Sequence, residues 1–120
     1  MLNVDTHVLL HAVTGQLRPA ELRLLQNDTW SISAIVLWEL AKLAQLGRIE
    51  LNLDSPELGR VLARIHVWPI DLAVCRRLAS LDFRSDPADE LIAATSIVHN
   101  VALVTRDRLI RASRLTPLAA

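Results

Sequence analysis

Cysteine is almost missing from this chain. Cys75 is the only one, so no disulfide can close within the chain and a cysteine-built zinc site lacks its ligands. Cys75 itself reads as a small, buried apolar residue on a helix. Lysine is equally scarce: Lys42 stands alone, and the rest of the positive charge is arginine. Formal net charge is zero, which excludes a nucleic-acid binder held by bulk basic charge. No stretch reaches the roughly 18 apolar residues of a membrane-spanning helix. The opening Met1-Leu2-Asn3-Val4-Asp5 has neither the basic segment nor the long apolar stretch of a signal peptide. A cytoplasmic protein without membrane contact is the expectation.

Apolar side chains, by contrast, are plentiful. They make up 52% of the 120 residues, enough for a packed core and too many for a disordered chain. No repeat, low-complexity tract or linker divides the chain, so residues 1–120 read as a single domain. Met1–Val4 reads as a strand, Thr6–Val13 as a helix closed by Gly15, and Pro19 to about Gln26 as a second helix opened by proline. Trp30–Ser33 is strand-like. Ser33 caps a helix from about Ala34 to Leu46 that Gly47 stops. Ser55-Pro56 opens a helix to about Ile65, Val67–Ile70 is a strand irregular at Pro69, and Asp71 caps a helix to about Leu81. Asp86-Pro87 opens the next helix, Ala102–Thr105 is an apolar strand, Asp107 starts a short helix, and Leu115–Leu118 reads as a last strand. Strands alternating with helices at this size predict an α/β fold with a mainly parallel sheet. In such sheets ligands bind beyond the carboxyl ends of the strands.

Four acids are candidates for that position: Asp5, Glu39, Asp89 and Asp107. Clustered carboxylates repel unless a cation sits among them. Three of them have an ordinary alternative. Asp5 and Asp107 each precede a helix and can cap it. With Asp86 as cap and Pro87 first, Asp89 falls third in its helix, where an acid suits the helix dipole and reaches back as in a capping box. Glu39 lies inside its helix, where capping is impossible. Ile35, Leu43 and Leu46 lie within about 40° of it on the helical wheel, so it sits on what reads as a core-facing apolar stripe. A carboxylate there needs a partner, either Lys42 three residues on or a metal ion. An all-oxygen set suits Mg²⁺ or Mn²⁺. His7 and His11 share a helical face, but no HExxH pattern accompanies them, so they do not make a zinc motif. Trp38 reads as core. The late arginines, Arg106 and Arg108 among them, suit bidentate phosphate contacts or plain surface.

The segments around the acids, in order, resemble the PIN-domain ribonucleases, and within them the VapC-type toxins of type II toxin–antitoxin systems. They are Asp5-Thr6-His7-Val8-Leu9-Leu10, Ser33-Ala34-Ile35-Val36-Leu37-Trp38-Glu39-Leu40-Ala41-Lys42, Asp86-Pro87-Ala88-Asp89-Glu90-Leu91-Ile92-Ala93-Ala94-Thr95 and Leu103-Val104-Thr105-Arg106-Asp107. The resemblance spans nearly the whole chain. It implies a three-layer α/β/α domain with a short, mainly parallel sheet, and a metal-dependent endoribonuclease. Asp5, Glu39, Asp89 and Asp107 would be its catalytic, metal-holding acids, with Mg²⁺ or Mn²⁺ as cofactor. Thr6 and Thr105 would be supporting hydroxyls, Asp86 a structural cap, and Arg106 or Arg108 contacts to RNA phosphates. It also implies a homodimer restrained by a small antitoxin. Glu90 departs from the pattern: many relatives carry arginine after the third acid, and a negative charge there is expected to weaken RNA binding or alter the partner's contact.

Two other functions compete. A catalytically idle PIN scaffold that only binds protein or RNA would have no use for all four acids. A phospho-receiver domain of this size would need a phosphoacceptor aspartate after a central strand and a late lysine; Asp54 is poorly placed and Arg106 occupies the late position.

Overall fold

The shortest elements of the fold lie at its centre. In the computed structural model, which describes residues 1–120, β1 (Leu2–Val4), β2 (Trp30–Ser33), β3 (His66–Trp68) and β4 (Leu103–Val104) form one parallel sheet in the order β3-β2-β1-β4. Seven helices connect and flank them: α1 (Thr6–Val13), α2 (Pro19–Gln26), α3 (Ala34–Gln45), α4 (Pro56–Leu62), α5 (Leu72–Arg77), α6 (Pro87–His99) and α7 (Arg108–Arg111). None of them is long and apolar enough to cross a membrane.

Side chains alternate across β1, and both faces of this strand are covered. Leu2 and Val4 join an apolar cluster with Val8 and Leu9 of α1 and Leu25 of α2. Asn3 points the other way, at α6, where its side-chain amide donates to the Ser96 hydroxyl (2.9 Å) and the Ile92 carbonyl (3.4 Å). Helical layers therefore sandwich the sheet, the α/β/α arrangement that lets the three-residue β1 be buried throughout, while β3 at the sheet edge stays largely exposed.

The helices begin where capping chemistry places them. Asp5, Ser33, Ser55, Asp71 and Asp107 each accept a backbone N–H from the first turn of α1, α3, α4, α5 and α7. Asn100 ends α6 in the left-handed region at φ 51°, a conformation asparagine tolerates better than most residues.

Several expected boundaries move. β3 ends at Trp68 because Pro69 has no N–H to give the ladder. The helix expected to reach Leu81 passes at Leu78–Ser80 into a 3-10 turn. The expected strand Leu115–Leu118 reduces to a single parallel bridge between Leu118 and Leu103. Pro117 cannot donate, and the Thr116 N–H turns inward to the Ser113 hydroxyl at 3.1 Å.

Three burial expectations are also corrected. Cys75 is exposed, because α5 lies on the surface and buries only Val74. Trp38 is 58% exposed: α3 buries Val36 and Leu40, and two residues from either is about 200° around the helix. The stripe Ile35–Glu39–Leu43–Leu46 is not core-facing either. Glu39 lies about 80° from the direction shared by Val36 and Leu40, so it flanks the core, and Leu46 is 55% exposed.

Asn3 is wholly buried and its side-chain oxygen has no partner. Asn3→Ala should lower the unfolding free energy by about 1–3 kcal/mol. Asn3→Asp, of equal size but ionised at neutral pH with no cation beside it, should cost more. Urea denaturation of the two variants measures this order.

Candidate functional site

The strand order places a switch point between β1 and β4. From β1 the chain moves toward β2; from β4 it moves to the opposite side, where Leu118 pairs with Leu103. Diverging loops open a crevice at the carboxyl ends of such a strand pair. Asp5 is the first residue beyond β1 and Thr105 the first beyond β4.

These two residues bond directly. The Thr105 hydroxyl donates to Oδ2 of Asp5 across a separation of 100 positions and accepts the Asp107 N–H at 3.0 Å. Oδ1 of Asp5 caps α1 through the Val8 N–H at 2.9 Å. Asp5 is buried, and burial pushes its pKa upward. The Thr105 and Val8 hydrogen bonds and the charge of His7 oppose that rise, while Asp107 adds to it. Capping and site membership are not alternatives here: a carboxylate has several lone pairs, and the cap uses one of them.

The other acids arrive from separate elements. Thr6, the first residue of α1, donates its hydroxyl to Oε1 of Glu39 on α3. Asp89, third in α6, accepts the Ser85 hydroxyl on Oδ2 at 2.9 Å. Its pKa is raised first by burial and then by the charges of Asp107, Glu39 and Asp86, against the Ser85 bond. Asp107 caps α7 with Oδ1. All four acids line one cavity of about 390 Å³ that has no hydrophobic residue in its wall. Asp86, Thr6, His7, His11 and Arg106 complete it. Five carboxylates therefore face one space.

The donor set is chemically that of a hard cation, since every acid offers oxygen. Oε2 of Glu39, Oδ1 of Asp89 and Oδ2 of Asp107 accept no protein hydrogen bond. No three acidic or histidine side chains stand close enough to grip one ion together. A ready-made cage is absent, and the donors suit an ion that keeps much of its water, as Mg²⁺ does.

Asp86 needs correction. It occupies the cap position of α6, but its carboxylate accepts no backbone N–H there and lines the acidic cavity instead. Ser85 orders this end of the helix: its hydroxyl holds Asp89 and its N–H donates to Oε2 of Glu90 at 3.0 Å. Glu90 is thereby turned to a local structural role and does not line the acidic cavity. Lys42 does not neutralise Glu39; it bonds Gln45 at 3.0 Å.

Arg106 is engaged. Nε and Nη2 each meet a different oxygen of Glu21 at 2.6 Å, and Nη2 also donates to the Gln16 carbonyl. Arg108 is exposed at the start of α7 and lines neither this cavity nor the larger one beside it. Four participants escape the sequence reading. Ser85 precedes the Asp-Pro pair and is invisible as an anchor until Asp89 faces it. His7 and His11 were weighed only as zinc ligands, although their shared face was legible. Glu21 was legible as an acid in a first helical turn, where it accepts the Arg18 N–H at 2.8 Å, but its partner lies far off in sequence.

The Glu21–Arg106 pair ties α2 to the loop after β4. The Arg106 guanidinium first, then the Arg18 N–H, holds the Glu21 pKa down to about 2 from an ordinary 4.5, against burial. A depressed carboxylate stabilises the fold above its unfolded pKa and loses that effect as pH falls through the folded value. Glu21→Gln should therefore destabilise by about 1–3 kcal/mol at neutral pH. The gap from the unaltered protein should close as pH drops from 4.5 toward about 2, read from denaturation midpoints across that range.

Comparison with known proteins identifies the family and the fold. The PIN domain family model matches residues 3–113. Ribonuclease VapC22 of Mycobacterium tuberculosis is 37% identical over 91 residues, covering 72% of this chain and 69% of that protein. Among solved structures, VapBC2 from Rickettsia felis bound to a promoter DNA fragment superposes with a TM-score of 0.73 at 21% identity, over 99% of this chain and 98% of that one. A toxin–antitoxin complex from Klebsiella pneumoniae gives a TM-score of 0.72 at 20% identity, over 93% and 91%. These two structural likenesses carry the fold; the family model and the curated relative carry the family. The chain belongs to the PIN-domain family, on its VapC branch.

Proposed function

We propose that this protein is a metal-dependent endoribonuclease that hydrolyses RNA phosphodiester bonds, and that it is the toxin of a toxin–antitoxin pair. The observation that carries this is the convergence of Asp5, Glu39, Asp89 and Asp107 on one cavity without hydrophobic lining. Its similarity to a protein named a ribonuclease supports the choice of substrate, and its likeness to a chain of a toxin–antitoxin complex supports the choice of partner.

The four acids would hold Mg²⁺ or Mn²⁺. When bound, such an ion lowers the pKa of a coordinated water and offsets charge at the phosphate. The chain's own residues supply the positioning. Thr105 fixes Asp5, Thr6 fixes Glu39 and Ser85 fixes Asp89. These donors are neutral hydroxyls, so they orient the acids without cancelling the charge a cation needs. Replacing such outer partners in metal sites typically costs about 10–100-fold in affinity or activity.

RNA cleavage in Mg²⁺ or Mn²⁺ tests the assignment. Asp5→Asn should lower kcat by roughly 10²–10³-fold, the usual loss on removing one electrostatic stabiliser. Thr105→Val should lower it by about 10–100-fold while circular dichroism shows an intact fold. Cleavage by Asp5→Asn equal to that of the unaltered protein would place any nuclease activity elsewhere. A chain that binds Mn²⁺ in calorimetry neither before nor after substitution would instead be a PIN scaffold without catalysis.

The antitoxin has a suitable place to dock. Trp38 and Ile35 of α3 and Pro87 of α6 line a cavity of about 420 Å³ that shares Glu39 and Asp86 with the acidic one. A segment bringing one apolar anchor and one cation would satisfy both. Large exposed aromatics often dominate such contacts. Trp38→Ala should weaken antitoxin binding by about 10-fold or more with RNA cleavage retained, measured by titration with a purified candidate antitoxin. A homodimer, proposed with it, is checked by light scattering.

A further inference from the structure

The acidic cavity has a larger neighbour of about 580 Å³, walled by Arg18, Arg23, Arg106 and Arg111, with Glu21 as its acid. Arg106 already occupies both oxygens of Glu21. Arg18 and Arg23 have no carboxylate at ion-pair distance; the ion pairs of the fold are Met1–Asp28, Arg60–Glu57 and Arg106–Glu21. Arg111 donates to the backbone carbonyls of Thr105 and Ala120, each at 3.1 Å. Those bonds hold its side chain in place at the wall.

The two cavities share a wall. Arg106 lines both. Thr105 touches both: its hydroxyl holds Asp5 and its carbonyl holds Arg111. A chain of zero net charge thus sets two unpaired arginines, with Arg111 held at the Thr105 carbonyl, beside five carboxylates. A small cation would satisfy only the acids, and a small anion only the arginines. A strand of linked phosphates satisfies both at once, with one phosphate at the acids through a cation and the next among the arginines. Guanidinium forks suit phosphate oxygens.

We propose that the arginine cavity is a docking subsite for a backbone phosphate that flanks the bond to be cut, held by Arg18, Arg23 and Arg111. The subsite rests on the ribonuclease assignment and adds to it where the strand runs on leaving the acids. It reads charge and spacing, not base identity, so it contributes affinity to every RNA sequence alike.

The test uses a labelled single-stranded RNA and the Asp5→Asn protein, which keeps the strand whole. Anisotropy titrations run at several salt concentrations in Mn²⁺. Arg18→Ala and Arg23→Ala each alter an exposed side chain, so the fold should survive, and melting curves confirm it. Each should weaken binding several-fold and reduce the slope of log K against log salt by about 0.7, the value for one phosphate contact to a single strand. Arg76→Ala, on α5 and outside both cavities, should change neither. If the three variants behave alike, bulk charge is responsible and the subsite is refuted. If Arg18→Ala and Arg23→Ala lose an acidic peptide but keep RNA, the cavity docks protein and the phosphate assignment falls. Cleavage by the unaltered protein with no effect of the arginines overturns the subsite alone. A protein that neither cleaves nor binds RNA overturns the ribonuclease assignment with it.

Discussion

One hydroxyl joins the two halves of the acidic centre. Thr105 donates to Asp5, accepts from the N–H of Asp107, and passes its carbonyl to Arg111. The last two are local; the first requires β1 and β4 to lie side by side in register. The alignment Asn3↔Leu103 and Val4↔Val104 provides that. The sheet is thus less a scaffold that carries a site than a device for bringing residue 105 to residue 5.

The protein treats its buried and half-buried acids in two opposite ways. Glu21 is saturated: a guanidinium and a backbone N–H meet its two oxygens, and its pKa falls to about 2. Asp5 and Asp89 receive neutral donors and are pushed the other way by burial and by their neighbours' charges. The first arrangement uses up a carboxylate as a tie between α2 and the loop after β4. The second leaves negative charge facing an open space. Such a difference separates a carboxylate consumed by an ion pair from carboxylates left without a counter-charge.

Much of this was legible in one dimension. The β/α alternation, the caps at Asp5, Ser33, Ser55, Asp71 and Asp107, and the four acid-bearing segments follow from local chemistry, which sequence records well. What escaped was set by tertiary geometry. Glu39 reads as core-facing because Ile35, Leu43 and Leu46 outnumber Val36 and Leu40 in an apolar tally, yet only the latter two are fully buried and Ile35 packs at the edge of that core. Trp38 was read as core by size alone. Asp86 occupies a cap position, and nothing local shows that its carboxylate declines the cap for the cavity. Ser85 and Glu21 matter through partners that no spacing rule reaches. The zero net charge concealed the most: an average over the chain hides an acidic space and a basic one that share a wall.

The bond between Thr105 and Asp5 spans 100 positions, and this has a temporal consequence. A chain made from its amino end exposes Asp5 early and Asp107 late. β1 has no β4 to lie against, and the acids have no common cavity, until synthesis has passed residue 107. A cavity that takes one acid from residue 5 and another from residue 107 cannot form in any chain that stops short of β4. Such a fragment would carry Asp5, Glu39 and Asp89 without the strand that brings Asp107 to them.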